Sequence, residues 1–281
     1  MKCVSPISIK DPRQSRGSIR IPVDCGKCGA CRYNRRADWS FRLAEEAKHS
    51  INSFFLTLTY DEQHVPISDY ESLTLRKRDL QLFHKRIRKL STQLWDRKFR
   101  YYSVGEYGTT TNRPHYHSII FNLHNGARAE LASKWGHGHV RIDTVNTARI
   151  HYITKYHVNY DKHHSKELGR EPEFAVMSRN PGIGAQYIDR CKDWNRNQEA
   201  YFVMNNGFKQ RMPRFFKEKI FSPEEREILS DLAMYEGEKA YWNEVERLEK
   251  LGYDNPEIEI ERRSYEESLK VEKKATQGLT L

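Results

Sequence analysis

Residues 99–123 constrain the fold more than any other stretch, because they read as two strands joined by a turn and carry three metal-type ligands. Phe99-Arg-Tyr-Tyr-Ser-Val-Gly-Glu-Tyr107 is aromatic and β-branched, Gly108 to Pro114 is rich in turn formers, and His115 to Leu123 alternates before it becomes apolar. This pattern predicts a β-hairpin. Strand residues two apart share a face, so His115 and His117 project together and Tyr116 points the other way, outward. A turn centred between Thr110 and Thr111 sets Glu106 directly opposite His115, and side chains of such cross-strand partners stand about 5 Å apart. Two imidazoles and one carboxylate can then hold one ion while leaving coordination positions open, as a catalytic metal requires and a closed structural site does not. Histidines in a strand also occur as surface or hydrogen-bonded core residues; the opposed Glu106 favours the metal.

A second constellation lies in Thr147-Ala-Arg-Ile-His-Tyr152-Ile-Thr-Lys155-Tyr156-His-Val-Asn-Tyr160, where residues 148, 152, 153, 156 and 160 have the spacing of a helix face. Tyr152 and Tyr156 fall one turn apart with Lys155 on their flank. A neutral phenol is a weak nucleophile, and a nearby cation lowers the cost of the phenolate. Taken alone the pair equally fits a packing stripe.

Together these residues resemble the HUH endonucleases, the initiators and relaxases of rolling-circle replication. Phe55-Leu-Thr-Leu-Thr-Tyr60 resembles their first motif, Arg113-Pro-His-Tyr-His117 the histidine–hydrophobe–histidine motif, and Tyr152-Ile-Thr-Lys-Tyr156 the tyrosine motif, in the same order. The similarity is greatest to the replication initiators of microviruses, single-stranded DNA phages, of the gokushovirus type. It covers about residues 20 to 220 and includes Gly105-Glu-Tyr-Gly108 and Cys25-Gly-Lys-Cys28-Gly-Ala-Cys31. The resemblance implies a five-stranded HUH fold and nicking of origin DNA. It gives Glu106, His115 and His117 the role of holding Mg²⁺ or Mn²⁺, and makes Tyr152 or Tyr156 the nucleophile that leaves a 5′-phosphotyrosine and a free 3′-hydroxyl. Lys155 would stabilise the phenolate or the phosphate. The partners implied are single-stranded DNA at a replication origin and host helicase and polymerase, in the host cell cytoplasm.

Charge agrees with a polyanionic partner. Net charge is +10, yet residues 222–281 hold nine Lys and Arg against sixteen Asp and Glu, a net of −7, so residues 1–221 carry +17. Within that part Leu73 to Leu94 reads as an amphipathic helix whose outward Lys85, Arg86, Arg88 and Lys89 could track phosphates, or serve as an ordinary solvated face. Arg113, beside the histidines, is a further candidate DNA contact. No apolar run approaches the ~18 residues of a membrane span, and no signal-peptide core or lipidation signal is evident, so a membrane partner is not expected. No glycine-rich nucleotide fingerprint is present. The glycines of Ser178-Arg-Asn-Pro-Gly-Ile-Gly184 could admit a phosphate to backbone amides, although a plain turn explains them as well.

Five cysteines in a reducing compartment argue against a disulfide framework. Cys25, Cys28 and Cys31 can wrap one ion, with Cys3, Cys191 or a histidine as fourth ligand; structural Zn²⁺, an iron–sulfur site and free thiols all share this spacing.

The remaining elements expected are a helix over Arg35 to His49, a strand over Ser53 to Tyr60 with Thr57 and Thr59 on one face, a short helix over Ala127 to Trp135 and a strand over Gly138 to Val145. A hairpin turn at Met204-Asn-Asn-Gly207 and a helix starting at Ser222-Pro-Glu-Glu225 follow. The chain thus reads as α+β, with a central antiparallel sheet of about five strands flanked by helices. Its expected parts are a cysteine-containing segment over 1–36, a nicking domain over 37–221 and a charged helical extension over 222–281. Two other functions suit the same residues: a zinc-dependent hydrolase using Glu106, His115 and His117, and a non-catalytic nucleic-acid-binding protein with a structural zinc module.

Overall fold

The structure, a computed structural model, describes residues 3–11, 19–108, 110–155, 169–205 and 207–277, with side chains up to residue 270. The chain divides into two compact units, one of Trp39–Asp189 and one of Met1–Asp38 with Arg190–Leu281. Strands β1 (Ile7–Lys10) and β2 (Arg20–Val23) pair as an antiparallel hairpin, and helix α1 (Gly29–His49) follows.

The Trp39–Asp189 unit is built on a sheet of β3 (Ser53–Thr59), β4 (Arg100–Tyr107), β5 (Pro114–Phe121), β6 (Val140–Thr144) and β7 (Phe174–Met177). Their order is β6-β3-β5-β4-β7, and every neighbouring pair is antiparallel. This is the α+β architecture expected from the sequence. Both faces are covered, which is why β5 turns wholly apolar after its histidines. Leu56, Leu58, Tyr116 and Ile120 pack under Leu80, Phe83 and Ile87 of α2 (Lys77–Leu94), Ala127 of α3 (Asn125–Ala129), and Leu131 and Trp135 of α4 (Leu131–Trp135). On the other face Phe55, Val104, Ile119 and Phe121 meet Leu43 of α1, Ile150 and Ile153 of α5 (Thr147–Thr154), and Ile183.

Three expectations change. Tyr116 does face away from the histidines, but into a core: it is fully buried, and its hydroxyl meets Tyr60 Oη at 2.8 Å and donates to the Arg76 carbonyl. Helix α2 begins at Lys77 and not at Leu73. The amides of Leu75 and Arg76 donate to the phenols of Tyr107 (3.1 Å) and Tyr116 (2.9 Å), which holds the chain extended through Arg76. The short helix before Gly136 is two, broken at Glu130, whose backbone leaves the helical region.

A buried ion pair joins helix, sheet and loop. Arg100 of β4 donates to both carboxylate oxygens of Glu46 on α1, at 3.2 Å from Nη2 to Oε2, and to the carbonyls of Pro181 (2.9 Å) and Gly182 (3.0 Å). The Gly184 amide, at φ +77°, donates to Glu46 Oε2 at 2.7 Å. The loop that could have faced a phosphate therefore spends its polar groups on this pair. Gly105 has a packing reason of its own: a Cβ there would lie 3.0 Å from the Phe174 ring.

In the other unit come α6 (Gln186–Asn197), shared with the first, the hairpin of β8 (Phe202–Asn205) and β9 (Phe208–Arg211), then α7 (Arg214–Ile220), α8 (Pro223–Lys250) and α9 (Pro256–Gln277). Helix α8 starts with the expected Ser222/Glu225 capping box and Pro223.

Because Arg100 is 2% and Glu46 0% exposed, Glu46→Ala strands a buried cation and should cost about 3–5 kcal/mol in urea unfolding. A double change to Glu46→Leu with Arg100→Met should recover much of that loss. Equal destabilisation by the single and double variants would show that the pair is not the joint described.

Candidate metal centre and tyrosine

Strand β5 lies at the centre of the sheet, and its register fixes the site. Glu106 pairs with His115 and Val104 with His117 on one side; Thr59 pairs with His115 and Thr57 with His117 on the other. The opposition of Glu106 and His115 inferred from the turn is the one observed. All three side chains lie on the face covered by α1 and α5.

Both imidazoles present Nε2 to the same carboxylate oxygen, Glu106 Oε1, at 2.5 Å from His115 and 2.9 Å from His117. Each ring is fixed from behind. His115 Nδ1 donates to the Arg113 carbonyl at 3.0 Å, and His117 Nδ1 meets Thr57 Oγ1 at 3.1 Å. Such outer contacts set the tautomer and aim Nε2 inward, the arrangement metal-ligating histidines use. The three ligand atoms lie within 4.8 Å of one another. Glu106 Oε2 is buried with no hydrogen-bond partner among the described residues, so a lone-pair donor is left facing the site. Two nitrogens and a carboxylate suit a divalent ion such as Mg²⁺ or Mn²⁺, and the residues present fit it.

Burial pushes the Glu106 carboxyl up, but hydrogen bonds from His115 and His117 outweigh it and hold the group at about 2. Burial disfavours a charged His115 as well, yet Glu106 overcomes it and raises that pKa; for the more deeply buried His117 desolvation wins and lowers it.

Helix α5 delivers Tyr152 to this cluster. Asn146 caps the helix, its side chain accepting from the Arg149 amide at 2.9 Å. One and a half turns on, the Tyr152 hydroxyl donates to Glu106 Oε1 at 3.0 Å and stands 3.3 Å from His117 Nε2. Lys155, itself buried, sets Nζ 3.8 Å from the centre of the Tyr152 ring. Burial first, then the Glu106 charge, raises the phenol pKa above its ordinary value. A cation among the ligands would reverse the second effect. Tyr156 lies outside the described residues.

The candidate DNA contacts divide. Arg113 begins the histidine segment, but its guanidinium bonds Glu62 (2.6 Å) and the Tyr60 carbonyl (2.8 Å). Lys85, Arg86, Arg88 and Lys89 are exposed on α2, across the sheet from the metal centre. Sequence reasoning missed Glu173. The β4–β7 register, continued one residue past the Gly105–Phe174 pair, brings it opposite Glu106, and it accepts from the Tyr107 amide at 3.3 Å. Burial, reinforced by the Glu106 charge, lifts its carboxyl to about 7. The alternation of Glu171, Glu173 and Ala175 before an apolar strand was the available signal.

Residues 53–161 match the family model of the replication-associated protein ORF2. The replication-associated protein VP4 of Bdellovibrio phage phiMH2K is 26% identical over 249 residues, covering 78% of this chain and 76% of that protein. The replication-associated protein ORF4 of Chlamydia phage 1 is 24% identical, over 81% of this chain and 59% of its own length. Its counterpart ORF2 of Spiroplasma virus 4 is 26% identical, over 72% and 68%. No solved structure matches. In class, the chain is thus similar to phage replication-associated proteins. More narrowly, the matches bear out the resemblance to microvirus-type rolling-circle replication initiators that the motifs carry.

Thr57→Val removes the group behind His117 while keeping its shape, and should weaken Mn²⁺ binding, read by calorimetry, by roughly 10–100-fold. Unchanged affinity would show that His117 is aimed without it.

Proposed function

We propose that this chain is a replication initiator that nicks single-stranded origin DNA by tyrosine attack and later rejoins the displaced strand. The observation that carries the reading is the Tyr152 hydroxyl lying 3.0 Å from Glu106 Oε1 and 3.3 Å from His117 Nε2. A phenol set against a metal-type ligand cluster suits phosphoryl transfer to tyrosine. The similarity to phage replication-associated proteins and the +17 charge of residues 1–221 supply the substrate class.

In the nicking step the Tyr152 oxygen bonds to the scissile phosphorus and the bond from phosphorus to the 3′-oxygen breaks. The phenolic proton is the one the leaving 3′-oxygen gains, so the products are a 5′-phosphotyrosine and a free 3′-hydroxyl. Glu106, His115 and His117 would hold a divalent ion, Mg²⁺ or Mn²⁺. When bound, the ion supplies positive charge against the charge that develops on the phosphate. Lys155 adds a second cation at the ring of Tyr152 and favours the phenolate. One phosphodiester bond is exchanged for another, so a later 3′-hydroxyl can reverse the transfer with no ATP. Tyr156, one helical turn on by sequence spacing, would serve as the second nucleophile when the first is still occupied. The DNA partner is the strand at the origin, with host helicase and polymerase acting on the 3′-hydroxyl.

With Mn²⁺ and a labelled origin oligonucleotide, the parent chain should form an adduct that survives denaturing electrophoresis. Tyr152→Phe should slow the first cleavage by at least about 10³-fold, as loss of a nucleophile does elsewhere. Cleavage with no adduct would mean that water is the nucleophile, as in a hydrolase. Full adduct formation by Tyr152→Phe would move the first attack to another residue.

A further inference from the structure

The unit formed by residues 1–38 and 190–281 contains a second cluster that the nicking chemistry does not use. We infer that Cys3, Cys25, Cys28 and Cys31 bind one zinc ion as a tetrahedral four-thiolate site that closes the N-terminal hairpin onto the start of α1. Cys3 Sγ lies 3.8 Å from Cys28 Sγ, and Cys25 Sγ lies 4.0 Å from Cys31 Sγ. All four sulfurs fall within 4.8 Å of one another. A zinc–sulfur bond of about 2.3 Å in a regular tetrahedron sets sulfurs about 3.8 Å apart. The four cysteines are free and stand much farther apart than the ~2.05 Å of a disulfide. They are also too close together for a multi-iron cluster, in which the thiolates are spread over different irons. This resolves the fourth ligand that the spacing left open: it is Cys3, and Cys191 stands outside the group.

The backbone is shaped for the purpose. Gly26 takes φ +71°, which turns the chain so that the amides of Lys27 (3.4 Å) and Cys28 (3.3 Å) donate to Cys25 Sγ. The Cys25 amide donates to Cys3 Sγ at 3.3 Å. Donors aimed at sulfur favour the thiolate, the form a metal needs. Register supplies the fourth ligand. Ile7 pairs with Val23, and the same alignment carried toward the N-terminus brings Cys3 beside the Cys25–Cys28 turn.

A second observation, independent of the sulfurs, shows what such an ion would stabilise. All four β1 residues are exposed, Ile7 at 50%. An isolated two-stranded hairpin with no buried face is marginal in water, so apolar packing does not hold this one. Four thiolates on one ion, two of them flanking the hairpin and one, Cys31, in the first turn of α1, supply the missing constraint. Soft sulfur ligands select zinc, whereas the harder Glu106, His115 and His117 set selects Mg²⁺ or Mn²⁺, so the two sites differ in metal.

Metal analysis of the purified full-length chain after dialysis against EDTA tests this without reference to nicking. The expected result is about one zinc per chain, with iron near zero, because a closed four-thiolate site loses its metal slowly. In the native protein a thiol reagent should then titrate Cys191 alone, and a mercurial should release the zinc as the other four thiols react. Cys191→Ser and His117→Ala should retain the zinc. Cys25→Ser with Cys28→Ser should lose it, and the parent measurement stands even if that variant fails to fold. Less than about 0.2 zinc per chain with four or five thiols titrating at once, or iron in place of zinc, would overturn the inference.

Discussion

The pairing of β4 with β5 is the constraint on which the site depends. Glu106 opposite His115 is one step in a register that also sets Val104 beside His117 and Tyr102 beside Ile119. Both faces of the sheet are packed, so a slip by one residue would carry His115 and His117 into the core beneath α2 and α4, and Tyr116 into the site. The same apolar residues that stabilise the sheet therefore determine where the ligands point. On the flanking strand, Thr57 is placed by the β3–β5 register to hold the far nitrogen of His117.

Electrostatics at the site are unbalanced in a way that suits a cation. One carboxylate, nearly buried, accepts from two imidazoles and a phenol at the same oxygen and leaves the other oxygen without a hydrogen-bond partner among the described residues. Its charge opposes ionisation of the tyrosine that the proposed chemistry requires. The residues thus favour a resting phenol and make its activation depend on added positive charge, which Lys155 supplies in part. Glu173 adds to the negative field from β7.

Much of this was legible in the sequence, for physical reasons. A turn of fixed length sets the register, so the position of Thr110 and Thr111 was enough to place Glu106 against His115, and strand alternation gave the shared face of the histidines. The polar role of Thr57 followed from the same alternation. What was not legible came from contacts distant in sequence. The start of α2 is decided by hydrogen bonds from Leu75 and Arg76 to tyrosines of β4 and β5. Tyr116 looked solvent-facing because alternation says which residues share a face and not what covers the opposite one. Glu173 arrives on a strand that pairs with β4 only in the folded chain, and Cys3 reaches the other three cysteines only through the β1–β2 hairpin.

The central claim is that one divalent ion sits among Glu106, His115 and His117 with the Tyr152 hydroxyl beside it. Anomalous diffraction from crystals of the chain soaked in Mn²⁺ tests it most directly. The expected result is a single strong peak on this sheet face, within roughly 2.3 Å of Nε2 of both histidines and of a Glu106 carboxylate oxygen. A peak at other residues, or none here in crystals whose protein nicks DNA with Mn²⁺, would contradict it.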